Sequence, residues 1–147
     1  MSDFKSITRV PTPFDLSLGQ EALDLMPALE GQQSDLIRGA AGCSPYIKSL
    51  IGKEAQWLEG ALDGPDRAIE LLFTQLKETD AKTMPSALRG SKRRVALITG
   101  LADLGGVWPL EKVTGVFTAF ADLAVSCALR ATIGAEIARG KLPGMSE

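Results

Sequence analysis

Apolar residues recur at three- and four-residue intervals along most of the chain, the rhythm of helices that bury one face. Leu18, Ala22, Leu25, Met26 and Leu29 keep that spacing as far as Gly31, and Pro27 inside the run implies a kink or an early end. A second short helix is predicted from Ser34 to Ala41, with Gly42 as its stop. Ser44-Pro45 reads as an N-cap followed by a first-turn proline, where the missing N–H costs nothing. Tyr46, Ile47, Leu50 and Ile51, then Trp57, Leu58 and Leu62, continue to Asp63-Gly64, and the Gly52-Lys53 step offers a division into two helices. Gly64-Pro65-Asp66 repeats the stop-and-start signal, Ile69, Leu72, Phe73 and Leu76 form the next face, and the polar run Lys77 to Thr83 reads as a loop.

The last element is the longest. It opens with Pro109 at a first-turn position and Glu111 where the helix dipole favours an acid. Val113, Val116, Phe117, Phe120, Leu123, Ala124, Cys127, Ala131 and Ile137 then hold the rhythm to a stop at Gly140 and Pro143. No internal repeat occurs, and no alternating apolar-polar run is long enough for a half-buried strand. The pattern predicts an all-α fold, a single bundle-like domain of about five to seven helices over residues 16–147, ending in a long helix near 109–139. Pro11 and Pro13 make residues 1–15 an extended, flexible lead-in.

The stretch Ser91 to Gly106, SKRRVALITGLADLGG, tests that reading, because Val95 to Thr99 runs into Gly100 and a Gly105-Gly106 pair as a first strand runs into a dinucleotide-binding turn. The spacing does not fit. The fingerprint is G-x-G-x-x-G in a βαβ unit, and the short-chain dehydrogenase variant, T-G-x-x-x-G-x-G, meets Leu104 at its middle glycine. That family's Tyr-x-x-x-Lys is absent too, since the single tyrosine is Tyr46. Leu88, Ser91, Val95, Ile98, Ala102 and Gly105 instead share one helical stripe from about Pro85 onward, with Gly105-Gly106 as its end. The interior Gly100 is then expected to mark close helix packing.

Composition narrows the chemistry. A chain of 147 residues can bury a real core, and 16 basic against 18 acidic residues give no field that would favour nucleic acid. The absence of histidine removes the commonest general base and the Ser-His and Cys-His pairs. Cys43 and Cys127 lie far apart without a CxxC, and the first residues lack the apolar core of a signal peptide, so a reducing cytoplasm is expected. The most apolar stretch, Gly115 to Leu129, contains Asp122 and is shorter than the roughly 20 residues of a membrane span. A soluble protein without membrane contact is expected.

Few residues invite a functional role. Arg89, Lys92, Arg93 and Arg94 form a basic cluster with no interleaved aromatic, which favours an interdomain or partner surface over nucleic acid. Asp63 and Asp66 read as caps, and Asp103 and Asp122 as members of ion pairs with Arg93, Arg94 or Arg130. Cys43 and Cys127 read as small core or near-surface residues. No catalytic, cofactor-binding or metal-ligating residue is assigned.

Three segments in order carry a resemblance: GCSPYIKSLIGKEAQWLEGALDG (42–64), LRGSKRRVALITGLADLGGVWPLEKVTGVFTAFADLAVSCAL (88–129) and RGKLPG (139–144). With Ser44-Pro45-Tyr46, Trp57-Leu58, Arg93 to Leu97, Leu110 to Thr114 and Ala121-Asp122, the chain resembles the N-terminal region of the bifunctional glutamine synthetase adenylyltransferase/adenylyl-removing enzymes. The resemblance implies a parent that moves AMP from ATP to a tyrosine of glutamine synthetase, and removes it by phosphorolysis, under the PII nitrogen-signalling protein. It implies magnesium held by paired aspartates of a Ser-Asp-x-Asp-Leu strand after a glycine-rich G-K-x-G segment. No Asp-x-Asp occurs in this sequence. The chain is therefore expected to be the inert helical front end of that larger enzyme, an excised or truncated piece that packs on the downstream nucleotidyltransferase domain. The alternative is a self-contained helical adaptor that binds a partner protein.

Overall fold

The computed structural model of the chain describes residues 4–141. Six α-helices and no strand occur among them: α1 (Leu16–Leu23), α2 (Gly31–Cys43), α3 (Pro45–Leu62), α4 (Pro65–Glu78), α5 (Met84–Leu104) and α6 (Leu110–Ala138). The all-α reading holds.

Local chemistry sets the boundaries. The Asp15 carboxylate accepts the Leu18 N–H at 3.0 Å and starts α1. That helix stops at Leu23, because Pro27 disfavours helical geometry for Met26 before it; Leu25, Met26 and Leu29 therefore sit in turns, with Met26 wholly buried. Ser44 caps α3 as its sequence position predicts, its Oγ accepting the Ile47 N–H at 3.2 Å. The break in α3 falls at Glu54, with φ −128° and ψ 15°, two residues beyond the Gly52 step. Asp80 Oδ1 accepts the N–H groups of Thr83 and Lys82, each at 3.0 Å, and turns the 79–83 loop into α5. Pro109 is the extended N-cap of α6 instead of its first-turn residue. Gly140, with φ +70°, closes α6 while the Lys141 N–H reaches the Glu136 carbonyl at 3.1 Å; Pro143 lies outside the described residues.

From Phe4 to Asp15 the lead-in lies packed along the bundle. Phe4 is 1 % exposed in the core, the Thr8 N–H donates to the Gly105 carbonyl at 2.9 Å, and the Asp15 N–H donates to the Gly42 carbonyl at 3.0 Å. The strand-like strap fits because α2 presents glycines beneath it: a Cβ on Gly39 would land on the Pro11 carbonyl oxygen, and one on Gly42 would lie 2.6 Å from the Asp15 oxygen. Gly42 is thus an interior helix position and a seat for the strap, so α2 runs through it to Cys43. At Gly100, where close packing was expected, the nearest atom to an added Cβ is Ile47 Cδ1 at 3.9 Å, an ordinary contact.

Helix α5 is the hub, touching α2, α3, α4 and α6. Its middle is buried almost all round, with Val95, Leu97, Ile98, Thr99, Leu101 and Ala102 inside, which no single stripe would require. Leu36, Ile37, Ile51 and Leu58 pack with them in the main core. A smaller cluster of Leu76, Met84 and Cys127 holds α6 to the ends of α4 and α5. Only Val113 and Cys127 of α6 are buried.

The full helix has 29 residues, with mean hydropathy 1.5 over an 18-residue window of which 6 % is buried. By length and composition alone it is long enough to cross a membrane, which corrects the expectation drawn from the shorter stretch 115–129. The helix gains that length by continuing through Arg130 to Ala138.

Replacing Gly39 by Ala is expected to lower stability by about 1–3 kcal/mol, because the strap must shift off α2. Gly52→Ala, where nothing lies within 4 Å of the added carbon, should instead stabilise by up to about 1 kcal/mol. Urea titration of both variants reads the difference, and equal effects would contradict the strap's seating.

Candidate functional site

The basic cluster lies on the first half of α5, and the structure splits it. Glu54, turned inward by the break in α3, has a side chain only 4 % exposed. Its Oε1 accepts from Arg93 Nε at 2.7 Å and its Oε2 from Arg94 Nε at 2.8 Å. One buried carboxylate therefore pins α5 to α3 through two guanidiniums. Both keep an edge in water, at 39 % and 34 % exposure, so the arrangement avoids the full cost of burying cations. The Arg94 guanidinium also lies 5.2 Å from the centre of the Trp57 ring.

Burial pushes the Glu54 carboxyl up, and the hydrogen bonds and charges of Arg94 and Arg93 more than offset it, so its pKa lies below the ordinary glutamate value. Arg89 and Lys92 are exposed and enter no ion pair among the described residues. Of the four predicted surface residues, two are thus structural and two remain free to meet a partner.

An open groove of about 590 Å³ runs between α3 and α4, lined by Trp57, Ala61, Arg67, Leu71, Gln75 and Arg94 among others. It presents two guanidiniums, the Asp63 carboxylate and apolar walls. No carboxylate pair or nucleophile with a base stands in it.

The acids go elsewhere than expected. Asp103 pairs with Arg9 of the strap at 3.6 Å, not with Arg93, Arg94 or Arg130, because the strap crosses the end of α5. Arg130 donates to the Lys77 carbonyl at 2.9 Å, and Asp122 is exposed without an ion pair among the described residues. Asp63 is a cap as expected, at the C-terminus of α3, whereas Asp66 sits in the first turn of α4 and pairs with Lys112 of α6. Cys43 is exposed, its Sγ donating to the Thr12 carbonyl at 3.0 Å, and Cys127 is buried.

Among the described residues no group of three His, Cys, Asp or Glu side chains could hold a metal ion. The described residues thus offer no carboxylate set that would fit magnesium. What the arrangement can do is join and brace. Sequence reasoning missed Glu54, although a signal was there: a lone acid one turn from Leu50 and Leu58 sits on the buried stripe of α3.

The described residues form an all-α module braced by ion pairs between its helices. The model of the family described as glutamate-ammonia ligase adenylyltransferase matches residues 34–147, and the chain belongs to that family. Relatives named bifunctional glutamine synthetase adenylyltransferase/adenylyl-removing enzyme include that of Bradyrhizobium sp. (strain BTAi1 / ATCC BAA-1182), 32 % identical over 149 residues, covering 91 % of this chain and 15 % of the relative. That of Caulobacter vibrioides is 35 % identical over 104 residues, covering 67 % of this chain and 10 % of the relative. The chain thus spans a small fraction of the curated relatives it matches. No solved structure matches it.

Replacing Glu54 by Gln should cost about 2–3 kcal/mol at neutral pH, less than for a fully buried pair because both arginines retain water. Because its folded pKa is lowered, the Glu54 contribution is complete above the ordinary value of 4.5 and is lost as pH falls through the folded value. Chemical denaturation from neutral to acid pH should therefore show the wild type converging on E54Q; a gap independent of pH would exclude the ionised carboxylate as its source.

Proposed function

We propose that this chain is the helical scaffold of a glutamine synthetase adenylyltransferase/adenylyl-removing enzyme and performs no nucleotidyl transfer alone. The observation that carries the reading is the family match over residues 34–147 of a chain without an Asp-x-Asp pair. On this reading the parent transfers AMP to and from glutamine synthetase in nitrogen regulation, with the PII protein as its regulator. ATP and magnesium belong to the rest of the polypeptide, and the scaffold packs on the nucleotidyltransferase domain. The cytoplasm is its compartment, in keeping with two free cysteines.

The exposed apolar side of α6 favours one alternative, a self-contained adaptor that binds another protein without enzymatic activity.

Incubating the chain with magnesium-ATP and glutamine synthetase should give no AMP incorporation above a protein-free control by intact mass measurement. Stoichiometric adenylylation would refute the scaffold reading.

A further inference from the structure

The outer side of α6 is the largest feature the scaffold leaves unexplained. Phe117, Val125, Leu129 and Ile133 are 44, 68, 57 and 38 % exposed. At 100° per residue Val125, Leu129 and Ile133 lie opposite buried Val113 and Cys127 with Asp122 among them, and Phe117, Ala121 and Ala128 stand at the edge of that side. Between Lys112 and Glu136 the sequence has two charges, Asp122 and Arg130, and Arg130 is drawn to the α4 flank by the Lys77 carbonyl.

The hydroxyls do not seek water either. Thr114, Thr118, Ser126 and Thr132 each donate to the carbonyl four residues back, at 3.1, 3.0, 2.8 and 2.8 Å. Their donors are spent inside the helix, and the threonines are free to present methyl groups outward. From Thr114 to Ile133 this surface is about 28 Å long, and exposed apolar patches rimmed by polar residues mark interaction sites.

We propose that the outer face of α6 is the seam against which the nucleotidyltransferase-bearing remainder of the family polypeptide packs, offering it an apolar, charge-poor surface. This rests on the scaffold reading above. Two observations favour that occupant. The matched segment is only 15 % of the Bradyrhizobium BTAi1 relative, so far more polypeptide exists in the family than this bundle contains. And the exposed side of α6 lies inside the segment that the family model matches, residues 34–147. A membrane suits the face less well, because the opposite side is committed to α4 and α5. Asp122, which stands in the middle of the exposed side, would also find no partner in lipid, whereas a protein surface can offer it a donor. The exposed cations Arg89 and Lys92 supply attraction without comparable area.

The test co-expresses the chain with the Bradyrhizobium BTAi1 relative lacking its matched segment, under conditions in which that relative's own segment, co-expressed, restores a soluble one-to-one complex. The wild-type chain should co-purify one-to-one, Arg89→Glu/Lys92→Glu should co-purify nearly as well, and Val125→Glu/Leu129→Glu should fall to about a tenth or less. Ala128→Arg, also on the exposed face, should behave like that double variant, and circular dichroism confirms that each remains helical.

Co-purification that survives both α6 variants overturns the seam and leaves the scaffold reading standing. Failure of the wild-type chain overturns the scaffold reading with it. Constant dimerisation by light scattering, abolished by Val125→Glu, or flotation with phosphatidylcholine vesicles, would assign the face to a second copy or to a membrane and would equally overturn the proposal.

Discussion

The contact on which the bundle depends is the two-armed hold of Glu54 on Arg93 and Arg94. A carboxylate this buried is tolerable only if both oxygens are met by charged donors, and two consecutive arginines on a neighbouring helix meet one each. The break in α3 turns the carboxylate inward, and the arginines stand at the point where α5 changes from a polar half-exposed helix to one buried on nearly every side. The pin therefore fixes the rotation of α5 about its axis. That rotation decides which residues enter the core and leaves Arg89 and Lys92 outside.

The two ends of the chain are treated in opposite ways. The strap before α1 is sealed onto α2 and the end of α5 by backbone hydrogen bonds, an ion pair from Arg9 and two glycine seats. The last helix is held along one side only, by Val113, Cys127 and their neighbours, and its other side is bare and apolar. That bare side is the surface which the proposed seam would cover.

The chemistry is consistent with that role. With no histidine, the chain would have to rely on carboxylates, lysines or cysteines. Two of its less exposed carboxylates serve the architecture: Glu54 joins α3 to α5, and Asp66 joins α4 to α6. The candidate surface was legible in part, because four cations in six residues are visible in any reading. Their division into two that brace and two that stay free was not, since it depends on an acid 39 residues away.

By itself the sequence determined a succession of about five to seven helices, the cap at Ser44, the glycine ends at Gly105 and Gly140, and the helical nature of Ser91 to Gly106. These follow from spacing and from backbone chemistry within a few residues. The resemblance to the adenylyltransferases, too, lay in the order of short segments. Only the tertiary structure decided that the lead-in is a strap, that Gly39 and Gly42 are its seats, that Asp103 answers to Arg9, and that α6 keeps an apolar side in the open. Each of those depends on which surfaces meet across long stretches of chain, and periodicity describes the faces of a helix without saying what, if anything, covers them.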